Sequence, residues 1–396
     1  MPQFMLRRTQ RIFTVCAITM MGCLLMPGLF WKPAMAATTL QLEDGFVLSF
    51  DSGQIDIGTG SGHMSDVILE KDGEILMMAE QLDVTAEGAP GSDEWVIRDL
   101  QGRHIEMPEQ EMFISDLSIR EFNFGLAFNT NSVADASQIF GEGGLIRMRN
   151  INLAEGDLAI TIDEISTAPF QYGTLADGTM VMTKGGFRVD GLSLTPMRGQ
   201  SGDSGFMKRL RARGMDSLVM DMAVAAGARI VDPEMQVFYR LSGDIRRLGS
   251  FDLDVEAGIN GNLYAQLLPQ LQTAEPNTAA WLGLSSAAYL RNAGLVIHDT
   301  GIGDILLDLA AEDEAGDAEE LRTTLRVMLA ESVRATFPQN ASWMLPPMDS
   351  ILKAGGHLEI QLDPPAQVPF SSVMGFAMLP DLAIQQLGVQ ITHRPN

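Results

Sequence analysis

Apolar and polar positions alternate with a period of two from about residue 38 to about residue 260. That is the pattern of strands with one buried and one solvated face. In RMRNINLAEGDLAITID (147–163), Met148, Ile151 and Leu153 precede a Glu155-Gly156-Asp157 turn, and Leu158, Ile160 and Ile162 follow it. This stretch predicts a β-hairpin. The same cadence runs through TTLQLEDGFVLSFDSGQIDIG, EILMMAEQLDVTAEG, EWVIRDLQGRHIEM, MFISDLSIREFNFGLAFNT, GTMVMTKGGFRVDGLSLTPM, SLVMDMAVAAGARI, EMQVFYRLSGDIRRL and SFDLDVEAGING. Turn signals at Asp72-Gly73, Gly156-Asp157, Asp177-Gly178 and Gly243-Asp244 fall between them, where positive φ or side-chain-to-backbone bonding is useful. Only NTNSVADASQIFGEG reads as helix or loop in this region. A loose repeat is visible in LIRMRNINL (145–153), GFRVDGLSL (186–194) and RLRARGMDSL (209–218), with a fainter echo in LSIREFNF (117–124). Each opens apolar-Arg-apolar and continues through a small turn residue into a second apolar half. The spacing is irregular, which predicts a meander of antiparallel hairpins rather than a strict solenoid.

The pattern changes near residue 262. NLYAQLLPQL and TAAWLGLSSAAYLR read as helical or mixed, and AGLVIHDTG as a further strand. Ile302, Ile305, Leu306 and Leu309 form a helical stripe. DAEELRTTLRVMLAESVRATF places Leu321, Leu325, Met328 and Leu329 on one face, with acids in its first turn as a helix N-terminus prefers. WMLPPMDSILKAGG ends on a glycine stop, HLEIQLDPP returns to strand, FSSVMGFAM and PDLAIQQLG are short helices, and VQITH closes. The fold expected is mainly β: a long curved antiparallel sheet of hairpins, groove-like or sandwich-like, with an α+β C-terminal part. The domain reading is a signal peptide at 1–36, a β-hairpin domain at 37–262, and an α+β region at 263–396 packing helices over the sheet's apolar end.

The beginning of the chain changes where this fold is expected to work. MPQFMLRRTQR is basic, IFTVCAITMMGCLLMPGLFW is apolar, and Ala34 and Ala36 have the spacing that signal peptidase reads. Cleavage is placed after Ala36 or Ala37, with an uncleaved membrane anchor and a lipoprotein built on Cys23 as the alternatives. Both cysteines, Cys16 and Cys23, lie in that segment. A chain cut after Ala36 therefore has no disulfide, cysteine metal site or cysteine nucleophile. The net charge is −24, and it becomes more negative once Arg7, Arg8, Arg11 and Lys32 leave with the segment. Such a surface repels nucleic acid and anionic head groups at long range. The expected location is the periplasm.

Candidate chemistry is sparse. Gly202-Asp203-Ser204-Gly205 resembles the nucleophile loop of trypsin-like serine proteases, but Phe206 stands where that loop continues with Gly, and the family's Ala-Ala-His-Cys motif is missing. GTGSGHMSD (58–66) has the glycines of a phosphate loop without its Gly-Lys-Ser/Thr. His63, His104, His298, His357 and His393 are scattered, with no metal-ligand spacing. AEDEAGDAEE (311–320) lacks the ligand pattern of a calcium loop and reads as a solvated helix-helix turn. Asp252 with Asp254 and Asp163 with Glu164 do not form an acid/base couple. Met77, Met78, Met107, Met148, Met180, Met182, Met220 and Met222 sit on predicted strands. Methionine there serves as core filler or as the pliable lining of an apolar groove. No catalytic, cofactor or metal residue is assigned, and no cofactor is expected.

The cadence of GDLAITIDEIS, LRNAGLVIHDTGIGDILLDLAAE and LEIQLDPPAQVP resembles a poorly characterised group of proteobacterial periplasmic proteins, and more loosely the AsmA-like β-groove proteins of the cell envelope. The resemblance implies a curved sheet with an apolar concave face and a role in envelope maintenance. The expected function is a non-enzymatic envelope protein that binds lipid or another apolar ligand on its sheet. Its alternatives are a structural module docking an envelope or secretion partner, and a hydrolase built around Ser204 and one of the five histidines. Nucleic acid is not an expected partner, and the membrane is one only if the N-terminal segment stays uncleaved.

Overall fold

The computed structural model describes residues 38–41, 46–56, 60–88, 95–123, 140–155, 158–196, 205–231, 233–271, 278–313, 317–372, 376 and 379–395. The predicted export segment, residues 129–139 of the helix-or-loop stretch and Ser204 lie outside them, and the last four residues of that stretch, 140–143, open a strand instead. The protein is mostly β, with seventeen strands in an open antiparallel sheet and the helices in its C-terminal part. It divides into two compact units, Met1–Tyr172 and Gly173–Asn396.

The first unit holds β1 (Thr38–Gln41), β2 (Phe46–Phe50), β3 (Ser52–Asp56), β4 (Ser61–Lys71) and β5 (Glu74–Gly88). It continues with β6 (Trp95–Met107), β7 (Met112–Asn123), β8 (Phe140–Glu155) and β9 (Leu158–Thr174). From β4 to β9 each strand pairs with the next, while β2 and β3 share β4 as partner and β1 adds to β2. The hairpin predicted at 147–163 is present, with Leu153 opposite Ile160 and Glu155 opposite Leu158.

Strict alternation fails at one level shared by β4 to β8, and β6 and β7 break it a second time, from Ile97 to Leu100 and from Ile119 to Phe122. Inward buried positions step by three from Met64 to Val67, Ala79 to Leu82, Ile114 to Leu117 and Met148 to Ile151. In β6 the same step runs from buried Gly102 to Ile105. Asp66, His104 and Asn150 occupy the kink in alternate strands with φ of 52°, 46° and 46°. Asp, Asn and His tolerate this left-handed conformation better than other non-glycine residues. Gly191 (φ 64°) takes the matching place in the GFRVDGLSL repeat, so the repeat's small residue bends a strand instead of ending one. Both strands of each pair carry the extra outward residue, so the register survives: Ser65 faces Gln81 and Val67 faces Ala79. The kinked strands bury one continuous cluster from Phe46 to Ile151, including Leu48, Leu69, Ile105 and Ile114.

The second unit holds β10 (Met180–Pro196), β11 (Leu218–Val231), β12 (Glu234–Ile245), β13 (Gly249–Asn260) and β14 (Tyr289–Asp299). The strands β15 (Gly356–Leu362), β16 (Val368–Pro369) and β17 (Val389–Arg394) complete it. Pairing runs β10 to β15 in sequence and then to β17, with β16 beside the start of β14. Helix α1 (Gly205–Ala212) lies between β10 and β11, and α2 (Gly261–Leu271) and α3 (Thr278–Ala287) between β13 and β14. Helices α4 (Ile302–Asp313), α5 (Ala318–Thr336) and α6 (Ala341–Ala354) precede β15, and α7 (Pro380–Leu387) precedes β17.

One repeat is corrected. RLRARGMDSL does not continue the strand cadence; its first part is α1. Met207 and Leu210, three apart, share the buried side of that helix. Gly214 at φ 72° closes it, with Met215 N–H donating to Leu210 O at 3.0 Å and Gly214 N–H to Arg211 O at 2.9 Å. This glycine-terminated cap satisfies the last helical carbonyls.

Candidate functional site: the apolar face of the C-terminal unit

Side chains of paired antiparallel residues share a face, so the register sorts the second sheet into two surfaces. One is polar and carries Arg188, Arg240, Ser242, Asp252, Asp254 and Glu359, with Arg240 paired to Asp254. The other is apolar almost without exception. Its middle row runs Phe187, Val224, Leu241, Leu253, Leu295 and Ile360 and ends at Ile391, one residue from each of seven neighbouring strands. At about 4.8 Å per strand the row spans about 29 Å.

Helices cover the margins of this face. At one end of the strands α2 and α3 pack on Ala228, Ile230, Met235 and Ile259. At the other end α1 and α4 pack on Leu194, Met220 and Ile245. Beside β17, α5, α6 and α7 close over Val389 and Ile391. None of the seven middle-row residues is buried, and Phe187 is 42% exposed. Its neighbours on the same face, Met222, Val237 and Tyr239, are also exposed. The same kind of surface in the first unit is a filled core. A large contiguous exposed apolar patch is uncommon on a protein that works alone.

The floor of the face carries no charged side chain in its middle. Asp299 and His393 stand at its ends and are engaged: Asp299 accepts from Gly301 N–H at 2.8 Å, and His393 Nε2 lies 3.0 Å from Gly355 O. Gly243, opposite Phe251, leaves room for that ring; a Cβ there would come within 2.4 Å of it. Helix α5 packs mainly on α4 and α6, tied by Arg322 to Asp304 at 2.8 Å and by Arg326 to Asp349 at 2.6 and 2.9 Å. Its predicted apolar stripe is left uncovered at Leu325 and Met328. Trp281 and Leu282 on α3 and Leu306 on α4 are likewise exposed.

The residues singled out in the sequence do not converge here. Residues 60–66 of the glycine-rich stretch belong to the turn into β4 and to β4 itself. His63 pairs with Asp83 and His104 with Glu80 on the solvent face of the first unit. Burial raises the Asp83 carboxyl, but hydrogen bonds from His63 and Gln81 outweigh it and hold the carboxyl below its ordinary value. His298 and His357 are direct cross-strand neighbours, a pairing invisible in the sequence because 59 positions separate them. Arg394 faces His357 from β17. Among the described residues no group of three or more His, Cys, Asp or Glu is placed to share a metal ion. Asp317 caps α5 by accepting from Glu319 N–H at 3.0 Å. Glu164 accepts from Arg147 and Arg149 at 2.6 and 3.0 Å. The methionines divide: Met77, Met107 and Met148 fill the first core, whereas Met180 and Met222 are exposed. Among the described residues no helix is long and apolar enough to cross a membrane.

Residues 242–394 are similar to a family described only as an uncharacterized protein. That span covers β13 to β17, six of the seven α-helices among the described residues and much of the apolar floor. No curated protein matches the chain.

Proposed function

We propose that the protein is a non-enzymatic binder of an alkyl-chain ligand, held on the apolar face of the C-terminal unit, and that it acts in the periplasm on envelope lipid. The observation that carries this reading is the middle row from Phe187 to Ile360, in which Phe187 is exposed and the rest are only half-buried, flanked by helices at both ends of the strands. A sheet that needed only a core would bring helices over its centre, as it does over its margins. Half the thickness of a bilayer's hydrocarbon core is about 15 Å, so a row of about 29 Å has room for an acyl chain. Each methylene removed from water contributes about 0.8 kcal/mol. An uncharged floor suits hydrocarbon and suits poorly any ligand whose buried part needs hydrogen bonds. The location rests on the signal-like segment at 1–36.

Native mass spectrometry of protein purified from periplasmic extract, followed by organic extraction, tests the reading. An amphiphile at defined stoichiometry is the expected result, with its loss in Leu253→Glu, which places a charge in the middle row. A ligand-free mass together with a stoichiometric protein partner would overturn it in favour of an interaction module.

A further inference from the structure

The two ends of the apolar face differ in charge. Helices α2 and α3, over one end, contain no charged residue at all, and α3 exposes Trp281 and Leu282. Helix α1, over the other end, has Lys208, Arg209 and Arg211 among its eight residues, and Arg213 follows it. Met207 and Leu210 anchor α1 on Met220 and Ile245, which leaves Lys208 and Arg211 exposed at the margin of the face. The turn between β12 and β13 brings Arg246 and Arg247 to the same corner. Arg247, held at φ 68°, donates to Gly214 O at 3.2 Å and Arg213 O at 3.3 Å, just beyond the C-terminal end of α1.

The acids of this corner are mostly engaged. Asp308 lies 3.7 Å from Arg209, Asp304 lies 3.4 Å from Arg213, and Asp221 lies 3.7 Å from Arg246. Asp216 and Asp244 are exposed, and Asp299, just before α4, accepts from Gly301 N–H at 2.8 Å and Gly303 N–H at 3.3 Å. Among the described residues no carboxylate pairs with Arg247, whose guanidinium goes to backbone carbonyls. In a chain with 27 basic and 51 acidic residues, six basic side chains at one end of an apolar floor are a local concentration of positive groups. The open floor reaches that end: Met222 is 39% exposed, two residues from Met220, which is half-buried beneath α1 and α4.

We propose, resting on the reading of this face as an alkyl site, that its ligand is an anionic amphiphile bound one molecule at a time. The head group, a phosphate or carboxylate, lies at the corner of Lys208, Arg211, Arg246 and Arg247. The chain runs along the strands, crossing the middle row, toward the uncharged end under α2 and α3; from the level of Met222 and Gly243 to that of Val237 this path is about 20 Å at about 3.4 Å per residue. Charge-assisted hydrogen bonds from exposed basic side chains hold the head, and the floor holds the tail.

The test compares lysophosphatidylglycerol with the monoacylglycerol of the same chain, which lacks the phosphate. Both are titrated below their aggregation concentrations into the protein as purified from cells and delipidated, and tryptophan fluorescence is the readout. The anionic lipid is expected to bind about tenfold more tightly, the worth of one good charge-assisted contact. That preference should decline with added salt and disappear in Lys208→Gln/Arg246→Gln, whose monoacylglycerol affinity and urea midpoint stay at wild-type values. Equal affinity for the two lipids, or a preference that survives in the variant, would overturn the head-group assignment and leave the alkyl site standing. Binding of neither lipid would remove the alkyl site itself. Retention on anionic vesicles without uptake of a lipid molecule would overturn the one-molecule site in favour of docking to a membrane surface.

Discussion

Truncating Phe187 should separate stability from binding. Phe187 is 42% exposed, about 80 Å² of a side chain that presents about 200 Å². Covering that area with alkyl chain contributes up to about 2 kcal/mol at about 25 cal/mol/Å², about thirtyfold in Kd. Of the buried remainder, about 120 Å², an alanine still buries about half, so truncation costs the fold about 1–2 kcal/mol, and because the site opens to solvent it leaves no closed cavity. Ile114 makes the control. It is fully buried in the first unit's core, and Ile114→Ala should cost about 2–5 kcal/mol including its cavity. The assay pairs urea unfolding with fluorescence titration of an alkyl probe. Because two units need not unfold together, each substitution is read on its own unit's transition. Phe187→Ala should lower probe affinity by up to about thirtyfold while moving the urea midpoint less than Ile114→Ala does. Equal midpoint losses would mean that the face is covered in solution. Unchanged affinity would mean that the ligand does not lie across the middle row.

Three further outcomes follow from the packing. Asn150 sits at φ 46° and donates from Nδ2 to Ser115 Oγ at 2.9 Å; Asn150→Val should cost about 1–2 kcal/mol by strain, while Asn150→Gly relieves the strain and gives up only the exposed bond. Equal losses in thermal melts would refute the kink as the cause. Gly243→Ala drives a Cβ against the Phe251 ring and should destabilise by about 1–3 kcal/mol, with partial rescue by Phe251→Leu in the double variant. Hydrogen bonds from Arg322, ahead of opposing burial and with help from Arg213, hold the Asp304 carboxyl below its ordinary value. A depressed folded-state pKa gives stability that is present above the ordinary carboxyl pKa of about 3.9 and is lost as pH falls through the folded value. The urea-midpoint difference between wild type and Asp304→Asn should therefore be largest near neutrality and vanish in acid; a pH-independent difference would rule out the ion network as its source.

The sequence by itself determined the strands, their antiparallel pairing and most of the C-terminal helices. Each is set by local periodicity and turn chemistry, which act over a few residues. It also carried the kinks, since Met64-x-x-Val67, Ile114-x-x-Leu117 and Met148-x-x-Ile151 are written as steps of three that a search for strict alternation passes over. The α1 error has the same root: an apolar-Arg-apolar opening serves a strand or one turn of helix, and contact with Leu248 and Ile305 decided which. Only the tertiary structure decided which apolar face is core and which is open. Leu48 and Leu253 both alternate on a strand and look alike in the chain. One lies inside a sheet that packs its own inward side chains together, and the other on a sheet whose helices stop at its margins. Burial depends on what arrives from distant parts of the chain, as does the corner where Lys208 and Arg247, 39 positions apart, meet at one end of the floor.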